Sequence, residues 1–375
     1  GQYPRFLRRS SADQSDLGRL TRGRKSRQGR KTFFALRVYL AVNTYLCGRR
    51  KNATILLFAV IGKRIFISLL ALLAGLCSSV WGEAQTRIKH VALTMDNVPS
   101  GGKEVNLSWL QVRNYVGARA LEDSRMPMVG FVNEKALVMP EERDDRRALL
   151  GTWLHAGAEL GNGTFSDIPL GHSQGAEWFE QDIEYGERLT REVVREYGDT
   201  LRYFRFPGMD LTGASDQDLD RVNAFLQREN YTPVTATIRF DDEPFNTPYV
   251  NSKIENDTVL VRYIGERYLE YVKQVLDHYE ALSQDNFSRQ ITHILSLRCS
   301  EINNDMLGYL LYILWEKGYR FVTLEEALAD PLYREHLPER YKGGYFWDYA
   351  TGLRYPDTPV RVPAMIRALY QYQTY

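Results

Sequence analysis

The chain has 375 residues, with 48 lysines and arginines against 47 aspartates and glutamates, and 44% of its residues are hydrophobic. This composition can bury a large core, which excludes wholesale disorder, and the length suits one large domain or two ordinary ones. The charge is uneven: residues 1–64 hold 16 basic and two acidic side chains, and the other 311 residues hold 32 basic and 45 acidic ones. Because an acidic folded part repels a phosphate backbone, we expect no nucleic-acid partner.

The N-terminal residues have the pattern of a leader and not of a packed domain. Residues 1–62 are rich in Arg, Lys, Ser and Gly, and we expect a basic segment that is disordered or not native to the mature protein. Lys63 and Arg64 then precede an apolar run over 65–76 and a stretch of small residues, which is typical of a cleaved signal peptide. The sequence therefore predicts a signal peptide over 63–84 and an exported protein, periplasmic or extracellular.

A signal anchor over 52–76 is the alternative interpretation of the same stretch. It would place Lys63 and Arg64 near the centre of a membrane span, where each costs roughly 2.5–3.5 kcal/mol. In both interpretations the membrane is a partner only through this segment.

From residue 88 onward, apolar runs alternate with helical patterns. Strands are predicted at 89–95, 128–134, 158–165, 201–206, 233–240, 292–298 and the start of 319–330. Helices are predicted at 106–123, 140–158, 177–198, 305–318 and the end of 319–330. This alternation is typical of an α/β fold with a parallel sheet, open or closed into a barrel, and such folds collect their active-site residues at the carboxyl ends of the strands.

Five segments at these strand ends carry a family pattern. They are VALTMDNVPSGGK, HAGAELGNGTFSD, RYFRFPG, HILSLRCSEINNDML and GYRFVTLEEAL. In this order they resemble the motifs of the polysaccharide deacetylase family, the chitooligosaccharide-deacetylase-like carbohydrate esterases. The resemblance implies a distorted (β/α) barrel over 86–335, with an aromatic C-terminal extension over 336–375, and an N-acetylated polysaccharide or oligosaccharide as the partner.

The resemblance also implies a metal-dependent reaction. In the family, one Asp and two His residues hold a divalent metal, usually zinc, which polarises the acetamide carbonyl and lowers the pKa of a bound water. A neighbouring Asp, oriented by an Arg, takes the proton of the water, and a His of the last strand protonates the leaving amine.

Two of the implied catalytic positions are intact in this sequence and a third is altered. Asp96 stands at the position of the base, and Arg205 stands at the position of its orienting Arg. Arg298 replaces the general-acid His, and a guanidinium group holds its proton too tightly to donate it near neutrality.

The metal-ligand positions are all altered. Asn97 replaces the metal Asp, Gly163 replaces the first His, and Asp167 replaces the second His. His172 lies five residues beyond Asp167 and is a candidate substitute ligand.

Three interpretations of these changes stay open. In the first, the protein has lost zinc and hydrolysis and keeps a glycan-binding cleft. In the second, Asp96, Asn97 and Asp167 hold a weakly bound, oxygen-liganded ion such as Mg²⁺, Mn²⁺ or Ca²⁺, and Arg298 stabilises an oxyanion. In the third, the protein is an ordinary active deacetylase whose metal ligands lie elsewhere, with His172 as the first candidate.

Further residues are candidates for contact with a glycan. Asp241 and Asp242 fall where the family often has a substrate-facing loop, although a solvated acidic turn explains them equally well, and Pro207 completes the third motif. The aromatic residues of the C-terminal extension either line a sugar cleft or cap the hydrophobic end of the barrel, and we favour the cap. They are Tyr341, Tyr345, Phe346, Trp347 and Tyr349.

Overall fold

The computed structural model describes residues 88–101, 106–335, 344–350 and 360–374. The predicted basic segment and signal peptide lie outside the described residues, as do Tyr341 and the side chain of Tyr349. Within the described ranges, no helix is long and apolar enough to cross a membrane.

In the described part of the chain, eight parallel strands form one sheet. They are β1 (Lys89–Val98), β2 (Met128–Val132), β3 (Ala158–Asn162), β4 (Tyr203–Phe204), β5 (Thr232–Pro233), β6 (Ile238–Arg239), β7 (Thr292–Arg298) and β8 (Tyr319–Phe321). Their order is β5-β4-β3-β2-β1-β7-β6, with β8 also paired to β1.

Strand β1 is the centre of the sheet. Its run from Val91 to Met95 is buried, as expected for a parallel strand that is covered on both faces. Val91 pairs with both His293 of β7 and Phe321 of β8, so β7 lies along one edge of β1 and β8 along the other. Strand β2 continues the edge that β8 begins, because Leu93 pairs with β2 as well as with β7.

The two ends of the strand order are joined by one short stretch of chain, residues 232–239, which we call the seam segment. Its first half pairs with β4, and the Val234 N–H donates to the Phe204 carbonyl at 2.8 Å. Its second half pairs with β7, and the Thr237 N–H donates to the Ile294 carbonyl at 2.8 Å. The seam segment therefore bridges the two outer strands and curls the sheet into a distorted (β/α) barrel, which confirms the predicted fold class.

Helices surround the sheet. The described ones are α1 (Leu107–Ser124), α2 (Arg143–His155), α3 (Ala176–Tyr185), α4 (Arg188–Glu196), α5 (Asp216–Arg228), α6 (Glu243–Ile254), α7 (Thr258–Phe287), α8 (Glu301–Glu316), α9 (Leu324–Leu328), α10 (Leu332–Glu335), α11 (Phe346–Ala350) and α12 (Ala364–Thr374). Short 3-10 turns cover Glu134–Leu137, Leu170–His172 and Pro207–Met209.

Two elements that were predicted as continuous are each divided in two in the structure. The helix predicted at 177–198 is two helices, α3 and α4, that meet at Gly186. A β-carbon at Gly186 would lie 2.4 Å from the carbonyl carbon of Thr164, so the chain needs glycine where the loop after β3 crosses it. The strand predicted at 233–240 is the seam segment, in which β5 and β6 pair with different neighbours.

The described aromatic residues of the C-terminal extension belong to the core. Tyr345, Phe346 and Trp347 are each at most 1% exposed. The Trp347 indole N–H donates to the Thr237 carbonyl at 2.8 Å, and the hydroxyls of Tyr345 and Tyr279 are 2.6 Å apart. Trp347 and Tyr345 therefore contact the seam segment, and all three side chains are buried, as the capping interpretation expected.

Candidate functional site

The carboxylate of Asp96 is held by two neighbours at the carboxyl end of β1. Arg205 donates from Nη1 to Oδ1 of Asp96 at 2.7 Å, and Ser296 donates from Oγ to Oδ2. The register of β1 and β7 places Thr94 opposite Ser296 and Asp96 opposite Arg298. Because partners in a parallel register share a face, these side chains lie on one side of the sheet.

Arg205 is fixed by contacts on every side. It is only 3% exposed and donates to the carbonyls of Val234 and Thr235 at 3.2 and 3.1 Å, and to Oγ1 of Thr94 at 2.7 Å. Its guanidinium also lies 4.3 Å from the centre of the Phe131 ring, within cation–π distance. The sequence-predicted pair of base and orienting arginine is therefore assembled in the structure with a preset geometry.

The altered metal positions form a hydrogen-bonded cluster of their own. Asn97 donates from Nδ2 to Oδ2 of Asp167 at 2.6 Å and to Oδ1 of Asn133 at 2.8 Å. Asn133 in turn donates to the carbonyl of Gly163 and, at 3.3 Å, to that of Thr164. The ends of β1, β2 and β3 are thus tied together by amide groups.

Asn133 and Ser296 were missed by sequence reasoning. A signal existed for both: Ser296 stands two residues before Arg298 on the same strand face, and Asn133 follows directly after β2.

Asp167 keeps an unusual carboxyl group. Burial is the main influence, and it raises the pKa of Asp167 to about 6. The hydrogen bond from Asn97 and the charge of Arg298 lower the pKa, whereas the charge of Asp96 raises it. These influences place Asp167 within electrostatic range of both Asp96 and Arg298, so the strand ends converge on one region.

Arg298 is neutralised by two acidic side chains. Its Nη2 donates to Oδ1 of Asp242 at 2.9 Å and to Oε2 of Glu243 at 2.8 Å. Asn303 supports this arrangement by donating to Oδ2 of Asp242 at 3.2 Å and to the Arg298 carbonyl at 2.9 Å. Burial alone would lower the pKa of Arg298, but Asp242 and Glu243 raise it above its ordinary value, so the guanidinium stays charged.

The remaining predicted site residues differ in their exposure to solvent. Asp241 is half-buried, and its backbone N–H donates to the Tyr271 hydroxyl at 3.3 Å. Pro207 is buried at the start of a 3-10 turn after β4. His172 is exposed, and among the described residues no hydrogen bond joins its ring to Asn97 or Asp167.

Four of the eight described non-glycine residues with positive φ lie at or shortly after these strand ends. Asn97, Thr164, Asp167 and Met209 all have positive φ, between 53° and 70°, although none is glycine. Thr164 is β-branched, for which this conformation is rare. Such strain costs about 1–3 kcal/mol per residue and persists where surrounding contacts impose it, most often at functional sites.

The donor set does not fit the zinc centre that the family resemblance implies. Asn97 directs an N–H and not an oxygen toward Asp167, Gly163 brings no side chain, and both oxygens of Asp96 are engaged by protein donors. Within the described ranges, no three His, Cys, Asp or Glu side chains are grouped so that they could hold a metal. Zinc prefers nitrogen and sulfur ligands in tetrahedral array, and this arrangement does not supply one.

The fold and the strand-end site define a (β/α)-barrel protein with a polar cluster at the carboxyl end of its sheet. No family model matches the sequence, and no curated protein matches it. The sequence motifs described above resemble those of deacetylase-type carbohydrate esterases, and proteins of that kind are among the solved structures that match this chain.

Three such structures illustrate the similarity. A CE4 family pseudoenzyme from Bacillus anthracis is 13% identical, with 64% of this chain and 66% of that chain covered and a TM-score of 0.44. A family 4 carbohydrate esterase from Bacillus anthracis is 17% identical, with 65% and 84% covered and a TM-score of 0.39. The peptidoglycan deacetylase PdaC from Bacillus subtilis is 14% identical, with 64% and 90% covered and a TM-score of 0.40.

Proposed function

We propose that this chain is an exported, polysaccharide-deacetylase-like protein that binds an N-acetylated polysaccharide or oligosaccharide and has lost zinc-dependent hydrolysis. One observation carries the proposal: Asn97 uses its amide N–H groups to bind Asp167 and Asn133. At this metal-ligand position of the resemblance, the side chain therefore points N–H donors at neighbouring protein groups and does not offer them an electron pair for a metal.

The state of Arg298 supports the loss of the general acid. Proton donation to a leaving amine needs a group that titrates near the working pH. The charged guanidinium of Arg298, paired with Asp242 and Glu243, has a pKa raised above its ordinary value and cannot do this.

The polar groups of the site support glycan binding. Sugar hydroxyls and acetamides each need a donor or an acceptor, and the strand ends offer carboxylates, amides and guanidinium groups held by the barrel. The strained backbone at Asn97 and Asp167 keeps these groups in place at a cost to stability, which is typical of binding and catalytic sites.

A hydrolase with a remodelled site is the second candidate. It is favoured by the Asp96–Arg205 ion pair, whose 2.7 Å contact keeps a carboxylate oriented as a base would be. This reaction would remove N-acetyl groups from a glycan. Asp96 would accept a proton from the attacking water and return it to the amine nitrogen as the C–N bond breaks, and Arg298 would stabilise the oxyanion.

A paired binding and activity assay on the purified full chain distinguishes the two. We expect calorimetry to detect N-acetylglucosamine tetramer, and a glucose tetramer of the same linkage, which lacks acetamides, to bind more weakly. We expect no acetate release with added zinc, magnesium or manganese. Acetate release at about 1 s⁻¹ or faster, a rate typical of enzymes, would establish the hydrolase instead. Failure to bind any glycan would remove the proposed function.

Export is supported only by the pattern over 63–84. N-terminal sequencing of the protein from its native host tests it, and we expect a mature chain that starts near residue 83 or 85. A mature protein that still carries residues 24–31 would contradict export by a cleaved signal.

A further inference from the structure

Asp167 is the one carboxylate of the Asp96, Asp167 and Asp242 set that keeps an oxygen open. Both oxygens of Asp96 accept hydrogen bonds, from Arg205 and Ser296, and both oxygens of Asp242 accept from Arg298. In Asp167 only Oδ2 accepts, from Asn97. Its Oδ1 has no hydrogen-bond partner among the described residues and keeps some exposure to solvent.

Asp167 also has no cationic partner in the described part of the chain. Its side-chain hydrogen bond is to the neutral amide of Asn97, and no lysine, arginine or histidine lies within ion-pair distance of it. The nearby guanidinium groups are already matched, Arg205 by Asp96 and Arg298 by Asp242. Because each of these two guanidinium groups is paired with a carboxylate, their repulsion of an incoming cation is weakened.

The Asp167 carboxylate is held in a fixed direction. Its backbone is left-handed, with φ of 61°, and its N–H donates to Oγ1 of Thr164 at 3.2 Å. Asn97, which fixes Oδ2, is itself anchored to Asn133 at 2.8 Å. The open oxygen is thus presented by a rigid support, which reduces the entropic cost of binding.

We propose that Oδ1 of Asp167 binds the protonated amino group of a de-N-acetylated sugar, so that the site prefers a partly deacetylated glycan to a fully acetylated one. This inference rests on the proposed glycan-binding function and names the sugar unit that the site selects. A sugar ammonium offers a charge and several N–H donors to the carboxylate. An acetamide at the same place offers one neutral N–H and puts a methyl group against a half-buried carboxylate.

Calorimetry on the full chain near pH 6.5 and at low salt tests the preference. The probes are tetramers of glucosamine, N-acetylglucosamine and glucose with the same linkage. Because a charge-assisted hydrogen bond outweighs a neutral one, we expect the glucosamine tetramer to bind about ten- to a hundred-fold more tightly than the N-acetylated one. The isosteric Asp167→Asn variant should lose this advantage, so that the glucosamine and N-acetylglucosamine tetramers bind it with affinities within about threefold of each other.

The matched control is Asp145→Asn, which removes one exposed acid from α2. The Asp145→Asn variant should keep the preference for the glucosamine tetramer. If the preference came only from a general attraction between an acidic protein and a cationic glycan, Asp145→Asn and Asp167→Asn would weaken it equally. Asp167→Ser, checked for cooperative unfolding, provides a second variant with the same expected loss.

The outcomes separate the two proposals. Equal or tighter binding of the N-acetylated tetramer, or a preference that survives both Asp167 variants, overturns the role of Asp167 and leaves the glycan-binding function standing. Absence of binding to all three tetramers overturns the glycan-binding function and the amine preference with it.

Discussion

Arg298 is ion-paired with Asp242 and Glu243, and this pairing limits how zinc-dependent deacetylation could be restored by mutation. The direct test of lost catalysis is to change Asn97→Asp, Gly163→His, Asp167→His and Arg298→His together. We expect zinc binding only when the first three changes are combined, and acetate release only when Arg298→His is added to them, because residues that act as one unit are strongly non-additive. Elemental analysis and acetate release measure the result, and a folded quadruple variant without zinc would show that these positions were wrongly assigned.

Gly163 sets the first structural obstacle to that variant. Its φ is not in the left-handed region, so glycine is not required by the backbone. A β-carbon there would lie 3.1 Å from the Val132 carbonyl oxygen and 3.3 Å from Nδ2 of Asn133, which is tight. The Asn133 side chain must therefore move before a histidine can point into the site.

Loss of the Arg298 charge is the second obstacle and gives a separate prediction. Asp242 is only 4% exposed, so Arg298→His would leave a buried carboxylate without its guanidinium partner. We expect the free energy of unfolding at neutral pH to fall by about 3–5 kcal/mol. The double variant Arg298→His, Asp242→Asn should recover most of it, as measured by urea unfolding. A single variant as stable as the wild type would contradict a structural role for the pair.

At this scale the sequence identified individual positions better than their partners. Asp96 and Arg205 were expected to interact, because the resemblance pairs them, and they do. The contacts of Asn97 with Asn133, and of Arg298 with Asp242, depend on strand register and on the course of loops. Neither follows from the spacing of residues along the chain.

At the scale of elements, Asp330 joins the start of β7 to the start of α10. Its oxygens accept from Nη1 and Nη2 of Arg289 at 3.1 and 2.6 Å and from the N–H groups of Thr292 and Leu332 at 3.0 and 2.9 Å. Burial alone would raise the pKa of Asp330, but these hydrogen bonds outweigh it and lower the pKa to about 2.

This lowered pKa predicts a pH dependence of stability. An aspartate has a pKa near 3.9 in an unfolded chain, so the stabilisation by Asp330 is complete above about pH 4 and is lost as the pH falls toward 2. After allowance for the exposed side of Arg289, we expect Asp330→Asn to lower the free energy of unfolding by about 1–2 kcal/mol at pH 7. The difference from wild type should shrink below pH 4 in denaturant titrations. A difference that is constant from pH 7 to pH 2 would contradict the assignment.

Most strands could be predicted, because buried parallel strands are short apolar runs with clear boundaries. The strand at 292–298 was placed at its observed limits. The seam segment was not predictable in detail, since its two halves belong to different neighbours and only the closed sheet reveals this. The helices α5, α6 and α7 were not predicted, and α6 contains Pro248, which obscures a helical pattern.

At the scale of the whole molecule, the C-terminal aromatic residues secure the seam segment. Trp347 binds the Thr237 carbonyl, the Thr235 hydroxyl donates to the Gly344 carbonyl at 3.0 Å, and the Arg239 guanidinium lies 4.0 Å from the centre of the Tyr345 ring. The carbonyl of Thr235 also holds Arg205. The extension therefore supports the candidate site from outside it.

Trp347→Ala should consequently weaken both the fold and the seam. We expect a loss of about 3–5 kcal/mol, as for other large aromatic side chains removed from a core. Hydrogen exchange of residues 232–239 should become faster, and glycan affinity should fall. Tyr372→Ala is the matched control, because Tyr372 is 84% exposed and its removal should change none of these readings. An unchanged exchange rate at 232–239 in Trp347→Ala would contradict the supporting role.

Because β1 lies at the centre of the sheet, its strand pairing can be completed only after late parts of the chain are available. His90 near the start of the barrel pairs with Thr292, roughly two hundred residues later, and with Arg320 beyond it. A chain that emerges from the ribosome N-terminus first must hold its first strand without these partners until most of the sequence has been made. Folding of such high contact order is slow. During synthesis, the edges of β1 that later pair with β7 and β8 therefore stay open until the last third of the chain has been made.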